Sequence, residues 1–374
     1  MIYKDYFRNL IGGVVVALFT FFLYKLVLLD YGNQELEFFT LVKRYQTVLF
    51  PILMLGFGVL IPKLLIKESI DYKVIKGMVL VSSIFFSLFA ILFYFFDNVW
   101  FYACLYTFPI VLSTFIFSIY RGGMLFQKGI NSNYLFLVII PLFLYLMTNN
   151  IKSFFMLYFF VSIAFFIYFF KKIADLDFLK NVVDFDLKSL IYNGFQRVPG
   201  DVISQFILLF PLYSLNEKIY RSGEYALAIS IVVAFSIPIK PLGTVLLVYL
   251  SKGVINRNKV IKSLIYYFFI SMIFTILYLL LIKYFNNFYF KTSSFYLILS
   301  NLSPMVFLST IYIFLRSYVD SFYKAALLSY INIFIVSIYG ILIFFDFDSV
   351  FSLNTSYGLG VVLVVLAILY KVKK

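Results

Sequence analysis

The sequence predicts an all-α polytopic membrane protein: about twelve transmembrane helices in two parallel six-helix lobes around a central cavity. Three observations predict it. Of 374 residues, 63% are hydrophobic, 22% aromatic and only 13% charged, with a mean hydropathy of +1.00, whereas soluble domains carry about 25% charge. Apolar runs of about 20 residues recur from end to end, each long enough to cross roughly 30 Å of hydrocarbon. The second half of the chain also repeats the first. A β-barrel would instead show short alternating segments, and none occur.

Taken in order, the apolar runs place helices at 10–29, 45–66, 76–96, 99–120, 134–149, 153–170, 190–214, 223–249, 262–282, 294–315, 323–344 and 353–370. The first follows a charged start, MIYKDYFRN. It is too long for a signal-peptide core and lacks a small-x-small cleavage site, so it reads as the first span. Connections are short, and no soluble domain interrupts the series. With the N-terminus inside, Lys and Arg favour the inner segments about threefold over the outer ones. The expected placement is therefore a bacterial inner (plasma) membrane, multi-pass, with both termini cytoplasmic. The net charge of +14 is mostly this anchoring. Nucleic-acid binding would need a basic soluble face, and there is none.

The repeat is carried by residues harder to match by chance than Leu and Phe. At an offset of 187, Glu37 meets Glu224, Pro51 meets Pro238, Leu55 meets Leu242, Gly56 meets Gly243, Gly13 meets Gly200 and Phe19 meets Phe206. Further on, PIVLSTFIFSIYR from Pro109 matches PMVFLSTIYIFLR from Pro304, with Arg121 on Arg316, at an offset of 195. The predicted lobes are 1–180 and 188–374. Six helices each give them one orientation and a pseudo-axis along the membrane normal.

The chain has no His, which removes the commonest general base and the commonest metal ligand. Its one cysteine, Cys104, excludes a disulfide framework. No cofactor, metal site or catalytic residue is expected.

Several stretches resemble one family. An early G-x-x-x-[LE]-[FY] patch (Gly32 to Phe39), a Pro- and Gly-bearing second helix and an arginine closing the fourth are similar to the polysaccharide-biosynthesis, or O-antigen (Wzx-type), flippases. These belong to the multidrug/oligosaccharidyl-lipid/polysaccharide exporter superfamily. Tyr192-Asn193-Gly194 followed by Arg197-Val198-Pro199-Gly200-Asp201 resembles their YG-x-x-R-x-P-G-D, and Gly223–Ala228 their G-x-Y-A-x-A. The resemblance implies flipping of an undecaprenyl-pyrophosphate-linked oligosaccharide, an O-antigen or capsule repeat unit, by alternating access. It also implies membrane lipid as surroundings, and a polysaccharide polymerase and chain-length regulator as partners.

Carrying pyrophosphate past the bilayer core calls for a cationic cavity, because ionised groups inside a membrane are costly and tend to be functional. The candidates are Arg197, Lys240, Lys25, Arg44 and Lys43, with Asp201 as an ion-coupling or ion-pairing group. Arg197 and Asp201 lie at i and i+4 on one helix face. They form a private pair, or Arg197 forks onto pyrophosphate while Asp201 titrates with a coupling ion. Lys240, between Pro238 and Pro241, lines the cavity or snorkels. Lys25 snorkels or binds cargo. Lys43 and Arg44 open helix 2, as the outer mouth of the cavity or as anchors. Glu37 and Glu224 stabilise helix starts or serve function. Two rivals remain: a polytopic O-antigen polymerase or ligase, and a drug exporter of the same superfamily. The first wants a sizeable outer loop, which is missing. The second favours acidic residues, yet here Lys25, Arg197 and Lys240 face a single Asp201.

Overall fold

A computed structural model describes residues 2–67, 71–176, 179, 187–209, 211, 222–251, 257–322 and 326–373. The elements are α1 (Ile2–Met54), α2 (Phe57–Lys67), α3 (Tyr72–Phe96), α4 (Asn98–Gly122), α5 (Phe126–Tyr134), α6 (Ile140–Met147), α7 (Ile151–Ala174), α8 (Leu187–Phe195) and α9 (Val198–Phe206). They continue with α10 (Ser222–Ser236), α11 (Ile239–Ser251), α12 (Arg257–Phe288), α13 (Ser293–Asn301), α14 (Ser303–Phe322), α15 (Ala326–Phe344) and α16 (Ser349–Lys373). Among the described residues, nine helical stretches are long and apolar enough to cross a membrane. This is a multi-pass membrane protein built of helices.

The twelve expected runs and these nine stretches differ for a physical reason. α1 is two helices meeting at Gly32, whose φ of 82° is open to glycine. The polar stretch after it, expected as a loop up to residue 44, is helical because Gln, Glu and Leu are good helix formers whatever their polarity. Helices 7 and 8 are each broken in the middle, into α8 and α9 and into α10 and α11.

The chain forms two compact units, residues 1–12 with 41–202, and 13–40 with 203–374. The division departs from the lobe boundaries 1–180 and 188–374 at two places. Most of helix 1 packs in the second unit, and the start of helix 7 packs in the first.

The first unit is assembled around α4, which α2, α3, α5 and α7 surround and whose residues from Ala103 on are almost all buried. The second is assembled around α14, with α10, α11, α12 and α16 packed on it. These two central helices contain the Pro109–Arg121 and Pro304–Arg316 repeats. Helix starts agree with the duplication as well. Asp97 caps α4 by accepting from Val99 N–H and Trp100 N–H, and Thr292, 195 residues later, caps α13 by accepting from Phe295 N–H. Asn150 caps α7 and Asp348 caps α16 in the same way.

Prolines inside these helices leave carbonyls that lipid cannot satisfy. Pro62 has no N–H for the carbonyl of Gly58, and that oxygen is taken instead by Arg121 Nη2 at 2.8 Å and Ser118 Oγ at 3.2 Å. Between α5 and α6 the backbone makes a π-helical turn, Leu135–Ile139, in which the Ile140 N–H reaches back to Leu135 O. Phe136 O would be next in register, but its partner is Pro141. The hydroxyl of buried Tyr158 fills the gap at 2.9 Å. Tyr158→Phe should therefore orphan a buried carbonyl and cost about 1–3 kcal/mol, read as a lowered midpoint in thermal unfolding of the purified protein.

Helix 1 packs on the break in helix 8 with no room to spare. A Cβ on Gly13 would sit 2.2 Å from the Cα of Pro238. Gly13→Ala should cost on the order of 1–3 kcal/mol as an overpacked contact. Gly340→Ala, on α15 with nothing within 4 Å, should leave the same unfolding midpoint unchanged or raise it.

Candidate functional site

In the first unit the candidate residues gather at two helix breaks. α8 stops at Phe195, because Pro199 brings no N–H to its carbonyl, and α9 begins at Val198. Arg197 lies between them as the residue before α9, its carbonyl accepting from Asp201 N–H at 3.0 Å. Asp201 is thus in the first turn of α9, where the helix dipole favours a carboxylate. Arg197 violates the same rule, since a cation is disfavoured at a helix start, yet its side chain is only 5% exposed.

What receives Arg197 is the other break. Leu55 and Gly56, both at positive φ (48° and 68°), separate α1 from α2. A Cβ on Gly56 would meet Arg197 Cδ at 3.0 Å, and one on Gly194 would lie 2.2 Å from Leu55 O. The arginine stem therefore lies along Gly56 where two backbones touch. Two helix starts, Phe57 and Val198, each with partial positive charge from its leading N–H groups, lie beside the buried Arg197 side chain.

Arg44 is 4% exposed. It lies about three turns past Gly32 and so inside a helix, where the sequence placed it at a helix start. Lys43, half-buried, holds its Nζ 5.9 Å from the centroid of Tyr106. Tyr106 in turn packs on Phe155 and Tyr158.

In the second unit, Lys25 is half-buried and donates to the carbonyl of Phe288, the last residue of α12, while its Nζ stands 4.6 Å over the Phe288 ring. That contact satisfies a terminal helix carbonyl. Lys240 follows the break at Ile237–Pro238 in helix 8, where its flanking prolines predict one, and is exposed. Lys25 and Lys240 thus belong to one unit, and Lys43, Arg44, Arg197 and Asp201 to the other.

Glu224 is 4% exposed in the first turn of α10 and accepts from Ser294 Oγ at 2.7 Å and Thr292 Oγ1 at 3.1 Å. Its repeat partner Glu37 lies flat on Gly223, so that a Cβ there would fall 3.1 Å from Glu37 Cδ. Both carboxylates thus lie at the start of α10, Glu224 bonding across to the start of α13, and the glycine of the GEYALA run is explained by the room Glu37 needs. Arg121, 3% exposed, carries the carbonyl freed by Pro62. The spacing Gly58–Pro62, a proline four residues after a glycine, is the sequence signal that an outside donor is required. Among the described residues no group of three or more His, Cys, Asp or Glu side chains clusters for a metal.

No protein-family profile and no curated protein sequence matches the chain. Solved structures do. An outward-facing multidrug resistance MATE family transporter of the MOP superfamily superposes with a TM-score of 0.72 at 15% identity, over 99% of this chain and 96% of that one. The chain has the fold of a MATE transporter. The MATE multidrug transporter DinF-BH in complex with rhodamine 6G gives 0.72 at 13% identity over 99% and 95%. A eukaryotic MATE transporter, AtDTX14, gives 0.60 at 11% over 98% and 94%. Each likeness spans nearly the whole of both chains.

Gly56 carries the sharpest test of this site. Gly56→Ala forces a side chain into left-handed backbone, at about 1–2 kcal/mol, and pushes against Arg197. Thermal unfolding should show that loss, and Arg197→Ala made in the Gly56→Ala background should recover part of it by removing the clash.

Proposed function

We propose that this MATE-like transporter flips a polyprenyl-pyrophosphate-linked oligosaccharide, an O-antigen or capsule repeat unit, across a bacterial inner membrane by alternating access. The observation that carries this reading is the buried Arg197 side chain beside two helix starts. A diphosphate suits it, because a planar guanidinium meets two phosphate oxygens at once. Arg44 and Lys43 add cations in the same unit, and Asp201 is the acid that would release the anion or couple an ion. Undecaprenyl-pyrophosphate oligosaccharide is then the cargo, with a polymerase and chain-length regulator acting on the delivered units. Both termini would lie in the cytoplasm. Transport requires no chemical step, so the chain is read as no enzyme.

A second reading is drug export, favoured by the fold: two of the structural neighbours named above are described as multidrug transporters, one holding rhodamine 6G. Against it stand the charges, since a cationic drug wants carboxylates where this site offers Arg197.

The separating experiment compares wild type with Arg197→Ala and Arg197→Lys in cells lacking the gene, with protein abundance followed in parallel. The flippase reading expects lipid-linked single units to accumulate on the inner leaflet, out of reach of a non-permeant reagent. Arg197→Ala should fail to relieve this, and Arg197→Lys should do so partly. Units accumulating on the outer leaflet would mean a polymerase. Unchanged units with altered rhodamine 6G efflux would mean an exporter.

A further inference from the structure

Helices 1 and 7 each begin in the first unit and finish in the second, changing over at Gly12–Gly13 and at Val202–Ile203, within three residues of equivalence in the repeat. On helix 1 the change takes one residue. A Cβ on Gly12 would face Tyr134 Oη at 3.0 Å and Ile130 Cγ2 at 3.3 Å, within the first unit. One on Gly13 would face Pro238, within the second.

Beyond Gly13 helix 1 is secured to the second unit. The Phe21 ring packs at 5.3 Å from Phe285 and 6.0 Å from Phe235. Tyr289 Oη donates to Phe21 O at 3.0 Å, and Lys25 holds the end of α12.

Helix 7 changes over between Arg197 and Ser204. Up to Arg197 it is held in the first unit, with Phe195 at 5.6 Å from Phe85 and Gly194 against Leu55 O. At Ser204 it is held in the second, its carbonyl accepting from Tyr357 Oη at 2.8 Å. Pro199 and Gly200 lie between these two anchors. At the repeat offset of 187, Gly12 matches Pro199 and Gly13 matches Gly200.

We propose that Gly12–Gly13 and Pro199–Gly200 are the paired pivots of the transport cycle. The bodies that move are then 1–12 with 41–202, and 13–40 with 203–374, rather than the two six-helix halves of the sequence. Helices pivot where a short stretch absorbs the change in backbone angles, often at small residues. The glycine pair on helix 1 stands at one change of unit, and the proline–glycine pair on helix 7 stands within three residues of the other. The proposal rests on the alternating-access reading and adds to it which segments travel together.

The test needs no cargo. In a Cys104→Ser background, or Cys104→Ala if the first folds poorly, spin-label pairs are placed at exposed positions. One pair, Leu29 and Leu280, lies within the second unit across helices 1 and 9. Another, Tyr192 and Leu146, lies within the first across helices 7 and 5. A third, Leu29 and Leu88, has one label in each unit. Distances are measured by pulsed paramagnetic resonance in nanodiscs, in acid and alkaline buffer, with and without sodium. The expected result is that the first two pairs hold one distance throughout while the third changes. A change in either of the first two overturns the proposal, and so does no change in any pair. Failure to move lipid-linked oligosaccharide, with the third pair still changing, counts against the flippase reading alone.

Discussion

Hydrocarbon offers a backbone carbonyl nothing to bond with, and this chain breaks its helices repeatedly inside apolar stretches. Every break must therefore be satisfied from within the protein. Gly58 O and Phe136 O show how that is met: a neighbouring helix supplies a long side chain whose donor arrives where a proline has removed one. Arg121 and Tyr158 thus owe their burial to Pro62 and Pro141. The same need explains why polar side chains in α4, such as Thr107 and Ser118, bond to carbonyls and leave the packing around them apolar.

The repeat has its clearest structural meaning in the two central helices. A helix surrounded by four others cannot change its surface without disturbing all of them, because interiors are packed to near crystal density. α4 and α14 keep a common pattern for that reason. Their closing arginines have diverged in partner. Arg121 holds a carbonyl, whereas Arg316 pairs with Asp320 through its Nε at 3.6 Å. The position asks for a cation whose charge is answered locally and leaves open what answers it.

Much of this was legible in the sequence. Length and hydropathy of the apolar runs are dictated by the bilayer, so the all-helical membrane class follows from them. The breaks were half legible. Pro238 and Pro241 announced the one in helix 8, but the break at Leu55–Gly56 follows Pro51 by four residues and needs a left-handed backbone at a leucine, which no local rule demands. Of the candidate site, Arg197 stood out because a cation in an apolar run is costly. Its seat on Gly56 is a contact over some 140 residues of chain and has no local signature. Lys25 looked like Arg197 in sequence, yet it caps a helix that lies 263 residues away. Residues 33–44 are polar enough to suggest a loop, yet they are helical, because polarity does not by itself break a helix.

The repeat in sequence and the unit in space are different objects. Each half of the chain lends part of its opening helix to the body formed mainly by the other half, which is the relation of partners in a domain-swapped dimer, here joined covalently. Neither sequence half is thus a complete folding unit. The first alone would leave Leu55 and Gly56 without Gly194 and Arg197, and the second alone would leave the docking surface around Phe235, Phe285 and Pro238 without its helix. Synthesis order then matters. Helix 1 is made well before Phe235, Phe285, Phe288 and Tyr289, so it cannot complete its packing until those later residues have been inserted.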